Sequence, residues 1–152
     1  MIRVQREAFD AGVEIDGLCR GNTGVGGVCS FIGLVRDMPD GGLAAMTLEH
    51  YPGMTERMLE QIDARAHARW PLEASLIVHR YGRMAPGEPI VLVVTASPHR
   101  QAAFESCQFL IDWLKTDAPF WKYEETADGG RWVDARDEDD AAAARWLDGR
   151  KA

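Results

Sequence analysis

Only three lysines occur in this chain, Lys115, Lys122 and Lys151, against fourteen arginines. Two of them flank one Pro-aromatic turn in the stretch KTDAPFWK (115–122). Arginine stays protonated, whereas burial or a neighbouring charge moves a lysine pKa toward neutrality. Lysine can therefore exchange a proton or attack an electrophile where arginine cannot. Residues 97–117 carry the spacing of a helix that Pro119 must end. At 100° per residue Lys115 projects about 20° from Phe104 and about 40° from Ile111. The expected apolar stripe is Phe104, Cys107, Ile111 and Leu114. Lys115 is thus expected at its edge, partly desolvated, with a lowered pKa. The competing reading is a lysine whose stem snorkels at a helix C-terminus, where its charge suits the dipole. If residues 120–126 are a strand, Phe120, Lys122 and Glu124 share one face and Trp121 and Tyr123 the other.

A second basic group stands at the other end of that helix. Ser97 reads as its N-cap and Pro98 as its first residue, which puts His99 and Arg100 in the first turn. Unpaired backbone N–H groups with two cationic side chains make a cradle for phosphate or carboxylate. The alternative is an Arg100 paired with a surface acid.

Other residues carry less chemistry. His50, His67 and His79 show no metal-ligand spacing and read as surface or satisfied core residues. Cys19, Cys29 and Cys107 form no CxxC pair; the last two read as packing residues and Cys19 as exposed. No Ser-His-Asp arrangement can be inferred. The stretch GNTGVGG (21–27) fits neither the dinucleotide fingerprint nor the P-loop, and reads as a flexible entry to a strand.

The formal net charge is -7. That excludes a general nucleic-acid binder, which needs a basic face, but leaves room for a basic pocket around a small anion. Charges begin at the third residue, so no secretory signal is visible, and no apolar run approaches the ~20 residues of a membrane helix. Odd, unpaired cysteines fit a reducing cytoplasm.

The elements that must position these groups follow from periodicity and breakers. Strands are expected at 28–35 and 43–51, paired as a hairpin around the turn-rich loop 36–42. A helix spans 52–70, with Met58, Ile62, Ala66 and Trp70 on one stripe. Strands follow at 74–82 and 89–97, then the helix at 97–117. A strand pair at 120–126 and 130–136 and a terminal helix at 137–150 complete the chain. Phe109 and Trp113 flank the second helix opposite the stripe, covered either by a partner subunit or within the domain. The order is α+β, one domain over 1–152.

Five stretches together resemble one family: FIGLVRD (31–37), MTLEHYPGMTERML (46–59), SPHRQAAFES (97–106), DWLKTDAPFWKYE (112–124) and RWVDAR (131–136). In this order they are similar to the large, catalytic subunit of molybdopterin synthase, over about residues 26–146. The resemblance implies an α/β hammerhead fold with a mixed or antiparallel sheet, two main helices and a short C-terminal helix. It implies a homodimer within a heterotetramer, each end binding a small ubiquitin-like sulfur carrier. The carrier's C-terminal Gly-Gly tail, activated as a thiocarboxylate, reaches into the pocket, where two sulfurs, one per thiocarboxylate, are added to cyclic pyranopterin monophosphate, giving the dithiolene of molybdopterin. By motif, the family's basic pocket falls on Arg36, His99, Arg100, Lys115, Lys122 and Arg136, with Tyr123 and Glu124 as further substrate-binding candidates. Lys115 and Lys122 are the expected catalytic pair, with no cofactor and no metal. Leu34 stands where the family often has lysine, and residues 1–25, which match poorly, are assigned no role. Two rivals remain: a scaffold that binds an anionic pterin, nucleotide or ubiquitin-like protein without turnover, and a cysteine persulfide sulfurtransferase.

Overall fold

The computed structural model describes residues 1–133 and 137–147. Its elements are β1 (Ile2–Gln5), α1 (Ala11–Cys19), β2 (Gly27–Leu34), β3 (Leu43–His50), α2 (Met54–Arg69), β4 (Ala74–Arg80), β5 (Gly82–Met84), β6 (Pro89–Ser97), α3 (Arg100–Asp117), β7 (Phe120–Thr126), β8 (Gly129–Val133) and α4 (Asp137–Ala144). The mixed α+β class expected from the sequence is the class observed.

The strands form two four-stranded sheets. The first has the order β1-β4-β6-β2, the second β5-β3-β7-β8. Among the described residues only β1 and β4 run parallel; every other pairing is antiparallel. In the first sheet β4 and β6 read as near-continuous apolar runs because both their faces are covered. Ile77, Val91 and Val93 pack under α2 and α3, against Leu59, Ile62, Ala66, Cys107 and Leu110. Leu76, Val78, Leu92 and Val94 pack on the opposite face against Phe9, Ala11, Ile15 and Leu18. The N-terminal segment therefore has a structural role that its sequence did not announce. Asp10 caps α1 by accepting from the Val13 N–H at 3.0 Å, and α1 closes that face of the sheet.

The expected hairpin of 28–35 with 43–51 does not form. β2 pairs with β6, and β3 with β7 and β5. The chain is turned out of the first sheet at Val35, whose N–H donates to the Glu88 carbonyl at 2.9 Å and whose carbonyl accepts from Gly87 at 2.7 Å. The Asp37 carboxylate then accepts from the Met38 and Leu43 N–H groups, folding loop 36–42 so that it delivers Leu43 into the second sheet.

Helix α3 begins at Arg100, later than expected, because Ser97 belongs to β6 and its hydroxyl donates to the Pro71 carbonyl at 2.9 Å. The buried arc is also rotated. It holds Ala103, Ser106, Cys107, Phe109, Leu110, Asp112, Trp113 and Leu114. Its centre is Leu110, from which Phe104 and Lys115 lie about 120° and 140° round the helix. Phe104 is 61% exposed and Lys115 is exposed as well. The rotation has a cause: α3 is covered on its flank as well as beneath. Phe109 meets Trp70 and Trp146 edge-on at 5.2 and 5.5 Å, and Arg65 lies 4.2 Å over Trp113. The Asp112 carboxylate accepts from the Trp146 indole at 2.8 Å and from Arg145 at 2.5 Å. The second apolar flank is thus covered within the chain.

Candidate functional site

The lysine-bearing turn joins the two sheets. α3 lies along β2 and β6, with Ala103 over Thr95 (hydroxyl to carbonyl, 2.7 Å) and Cys107 over Val93. It therefore runs antiparallel to β6 and returns to the end of the sheet where Leu34 pairs with Pro89. There the chain leaves α3 at Asp117, turns at Pro119 and enters β7 at Phe120. Two buried polar residues hold this turn. The Thr55 hydroxyl donates to the Pro119 carbonyl at 3.2 Å and accepts from the Tyr51 N–H at 3.0 Å. The His79 ring stacks on Phe120.

Lys115 stands exposed on the last turn of α3, and Lys122 exposed on β7, opposite Leu48 of β3 and Val133 of β8. Leu48 and Phe120 belong to the inner apolar cluster of the second sheet together with Val35. Phe120, Lys122 and Glu124 thus share the inner face of β7. Arg36, exposed, follows Val35 directly and so joins this end of the molecule. Glu124 pairs with Arg131 at 3.3 Å. Tyr123 faces the other way, 5.1 Å from Trp132, in a shallow groove with Thr47, Glu49, Arg83 and Glu125. A Cβ at Gly130 would fall 1.9 Å from the Tyr123 hydroxyl, so a glycine there makes room for the phenol. Nearby, Asp117 has its pKa raised by burial, against the opposing pull of Arg65.

His99 and Arg100 stand at the opposite end of α3. His99 is the N-cap residue and makes no side-chain capping bond, and the first turn carries no acid. Both side chains are exposed. The glycine-rich stretch is what brings β2 to this end. The Gly26 N–H donates to the Ser97 carbonyl at 3.0 Å. A Cβ at Gly26 would lie 2.0 Å from the Pro98 carbonyl oxygen, and one at Gly27 3.2 Å from the Arg100 Cα. These glycines permit close approach of two backbones, beyond the flexible strand entry expected of them.

The basic candidates therefore fall into two clusters: Arg36, Lys115 and Lys122 at one end of α3, His99 and Arg100 at the other. Fifteen helical residues at 1.5 Å each separate Arg100 from Lys115 by roughly 22 Å. Arg136 lies outside the described residues.

The cysteines are not placed for sulfur chemistry. Cys107 is buried, and burial followed by the neighbouring Cys29 raises its thiol pKa well above the ordinary value. Cys19, at the end of α1 on the far face of the first sheet, has its pKa raised by burial and by Asp16. Neither is the electropositive environment of a reactive thiolate. Thr55 and His79 had escaped notice as supports of the site. For His79 the signal was present: a histidine inside the apolar strand ASLIVHR must be buried with a partner.

A profile of the MoaE protein family matches residues 4–117. The molybdopterin synthase catalytic subunit of Pseudomonas aeruginosa is 58% identical over 146 residues, which is 95% of this chain and 97% of that protein. The molybdopterin biosynthesis MoaE protein of Burkholderia ambifaria superposes with a TM-score of 0.84 at 53% identity, covering 97% of each chain. The molybdopterin synthase of Staphylococcus aureus superposes at 0.80 with 29% identity, over 87% of this chain and 96% of that one. With the two-sheet fold, the lysine turn and the histidine–arginine helix start in place, the chain belongs to the MoaE family.

Proposed function

We propose that this chain is the catalytic subunit of a cytoplasmic molybdopterin synthase, and that each working site is shared between two copies of it. The reaction converts cyclic pyranopterin monophosphate to molybdopterin, with two sulfurs each arriving on the C-terminal thiocarboxylate of a small ubiquitin-like carrier, which leaves as the carboxylate. The observation that carries the shared site is the length of α3. One substrate of pterin size cannot touch both His99–Arg100 and Lys115–Lys122 of the same chain across roughly 22 Å. A two-fold axis resolves this, because it sets two helices side by side in opposite directions, the start of one beside the end of the other. β2 fits such an axis. It is an edge strand of the first sheet among the described residues, with Val28, Phe31, Ile32 and Leu34 all exposed beside the exposed Phe104 of α3. A long apolar edge of this kind is normally paired or covered.

In the shared site His99 and Arg100 of one copy hold the phosphate at the helix start. Arg36, Lys115 and Lys122 of the other copy surround the reacting carbons, with Arg136 completing the anion contacts. Lys115 acts as general acid and base or as a transient nucleophile. Lys122 and Glu124, on one face of β7, orient the carrier tail and the substrate, and Lys122 stabilises developing negative charge. Tyr123 contributes from the opposite face, through its packing on Trp132. The placement of the cysteines favours a sulfur donor carried by a partner over a persulfide on this chain.

The test is complementation between two chains impaired at opposite ends of α3. Lys115→Ala and Arg100→Ala proteins are each assayed with thiocarboxylated carrier at substrate far below saturation, where lost affinity shows as lost turnover, then mixed and allowed to exchange subunits. If the site is shared, half of the randomly mixed dimers are hybrids with one intact site of two, giving about a quarter of wild-type turnover. A mixture no more active than its components, with carrier still bound, sinks the shared site. No product from wild type itself, with carrier still bound, points to a scaffold or a different substrate.

A further inference from the structure

We propose that His79 is a positioning residue for Lys122, acting through the ring of Phe120; the inference rests on the role just given to Lys122. His79 belongs to β4 of the first sheet, whereas Phe120 and Lys122 belong to β7 of the second. The imidazole is 6% exposed. It lies against the Phe120 ring with centroids 3.8 Å apart and planes 17° apart. Its Nδ1 is 2.9 Å from the Arg80 carbonyl oxygen. A carbonyl can only accept, so Nδ1 carries the hydrogen and the tautomer is fixed. Burial holds the pKa down to about 4, against the upward pull of that bond and with a further push from the charges of Lys122 and His50. At neutral pH the ring is therefore uncharged, although it stands within the field of a lysine.

The consequence for Lys122 follows from strand geometry. Residues two apart on a strand share a face, roughly 7 Å from one another. Any rotation of β7 that unseats Phe120 also swings the root of Lys122. Phe120 is the first residue of the strand and would otherwise be free to roll, because it follows a proline turn. The His79 ring closes one side of it, and the Thr55 hydroxyl fixes the preceding carbonyl. His50, opposite Phe120 on β3, is itself packed on Tyr81 at 4.2 Å. The ring beneath Phe120 must also be neutral, since an imidazolium there would repel the ammonium it serves to place. Histidine in its fixed tautomer satisfies both demands: a flat ring for Phe120, and an N–H for the Arg80 carbonyl that phenylalanine could not supply.

The rarity of lysine supplies a direct readout. Reductive methylation with ¹³C-formaldehyde gives one side-chain signal for each of Lys115, Lys122 and Lys151. In His79→Leu, which keeps the volume but removes the flat ring, the Lys122 signal shifts while those of Lys115 and Lys151 stay. An unmoved Lys122 signal, or equal movement of all three, overturns the inference. In single turnover His79→Leu lowers the rate about tenfold, as a misplaced reacting group does, with substrate and carrier affinities unchanged. His79→Phe, which restores the ring, recovers most of the rate. In a Lys122→Ala background the His79→Leu change costs no more than about twofold, the margin of simple additivity. Independent, multiplying losses overturn the inference and leave the role of Lys122 standing. A Lys122→Ala protein with wild-type turnover removes that role, and the inference falls with it. Should His79→Leu fail to fold, Phe120→Leu removes the other half of the stack and is read in the same way.

Discussion

The two ends of α3 carry similar charge and are built in opposite ways. At its start, His99 and Arg100 stand exposed on a helix end without a side-chain cap. What shapes that end is backbone against backbone, through Gly26 and Gly27. At its finish, Lys115 is followed by a turn held by two buried side chains, Thr55 and His79. An anion-binding end needs N–H groups and charge in roughly the right place, and backbone shape supplies that. A proton-transferring end needs one amine fixed to within a fraction of an ångström, and this takes packed polar side chains. The proposed roles divide along the same line, affinity to the starting end and rate to the finishing end.

The strongest blow to that division is aimed at Lys115. Lys115→Ala should lower single-turnover product formation by about 10²–10⁴-fold, the range that a general acid–base group contributes. Carrier affinity should hold, because the role proposed for the amine is at the substrate. Lys115→Arg should not restore the rate, since arginine retains its proton. A Lys115→Arg protein with substantial turnover would show that charge alone suffices at this end, and the comparison would collapse.

Next in size is a pH effect on stability at the finishing end. The folded-state pKa of His79 is about 4, against roughly 6.5 in an unfolded chain. Above pH 6.5 both states are neutral there and the full stability is present. As pH falls from about 6.5 to about 4, the unfolded chain takes up a proton that the folded one refuses, and stability is lost. The full loss is on the order of 3 kcal/mol. Carboxylates add their own acid dependence, so the measurement is a difference: urea melts of wild type and His79→Leu between pH 4 and pH 7. The wild-type curve should fall more steeply over that window. Parallel curves would mean that His79 is not held neutral by its surroundings.

A smaller loss belongs to the other end. Gly26→Ala puts a methyl group 2.0 Å from a carbonyl oxygen, and backbone must move to admit it. A destabilisation of about 1–3 kcal/mol is expected. Gly27→Ala, whose Cβ would meet the Arg100 Cα at 3.2 Å, should cost less in the same urea melts. Equal costs would mean that β2 is not held by shape at this point.

These particulars also show what the sequence made legible. The long apolar runs of β4 and β6, the breakers around α3 and the alternation of FWKYEET were local signals, and local rules read them. β2 and β3 were read as strands too, but their pairing was not. A seven-residue loop with two glycines looks like a hairpin connection, and nothing in residues 28–51 tells that β6 and β7 hold the partners. Helix α1 was missed because its packed apolar face is only three residues, Ala11, Ile15 and Leu18, and the strand β4 that it covers lies some sixty residues away. The candidate site residues were chosen by type, spacing and resemblance. Their division between the two ends of α3 was implicit in the helix length, yet it emerges only once α3 is known to lie straight along the sheet. The rotation of the buried arc, which leaves Lys115 and Phe104 outside, needed the flank contacts of Trp70 and Trp146.

The finest test separates the ends by kinetic parameter. Arg100→Ala removes one charged donor from an exposed helix start. The bond proposed for it to a phosphate would be charge-assisted but open to solvent, so its loss should weaken substrate affinity about tenfold or less. The rate at saturating substrate should not change, because that phosphate is held equally in ground state and transition state. The affinity difference between wild type and Arg100→Ala should also shrink as salt is raised, since surface charge is screened over about 10 Å at 0.1 M. Lys115→Ala should show the reverse split, with rate lost and affinity kept. If Arg100→Ala instead lowered the saturated rate and left affinity alone, the phosphate would be tightening its hold as sulfur arrives. The starting end of α3 would then belong to the chemistry as much as the finishing end, and two lysines would no longer be its sole agents.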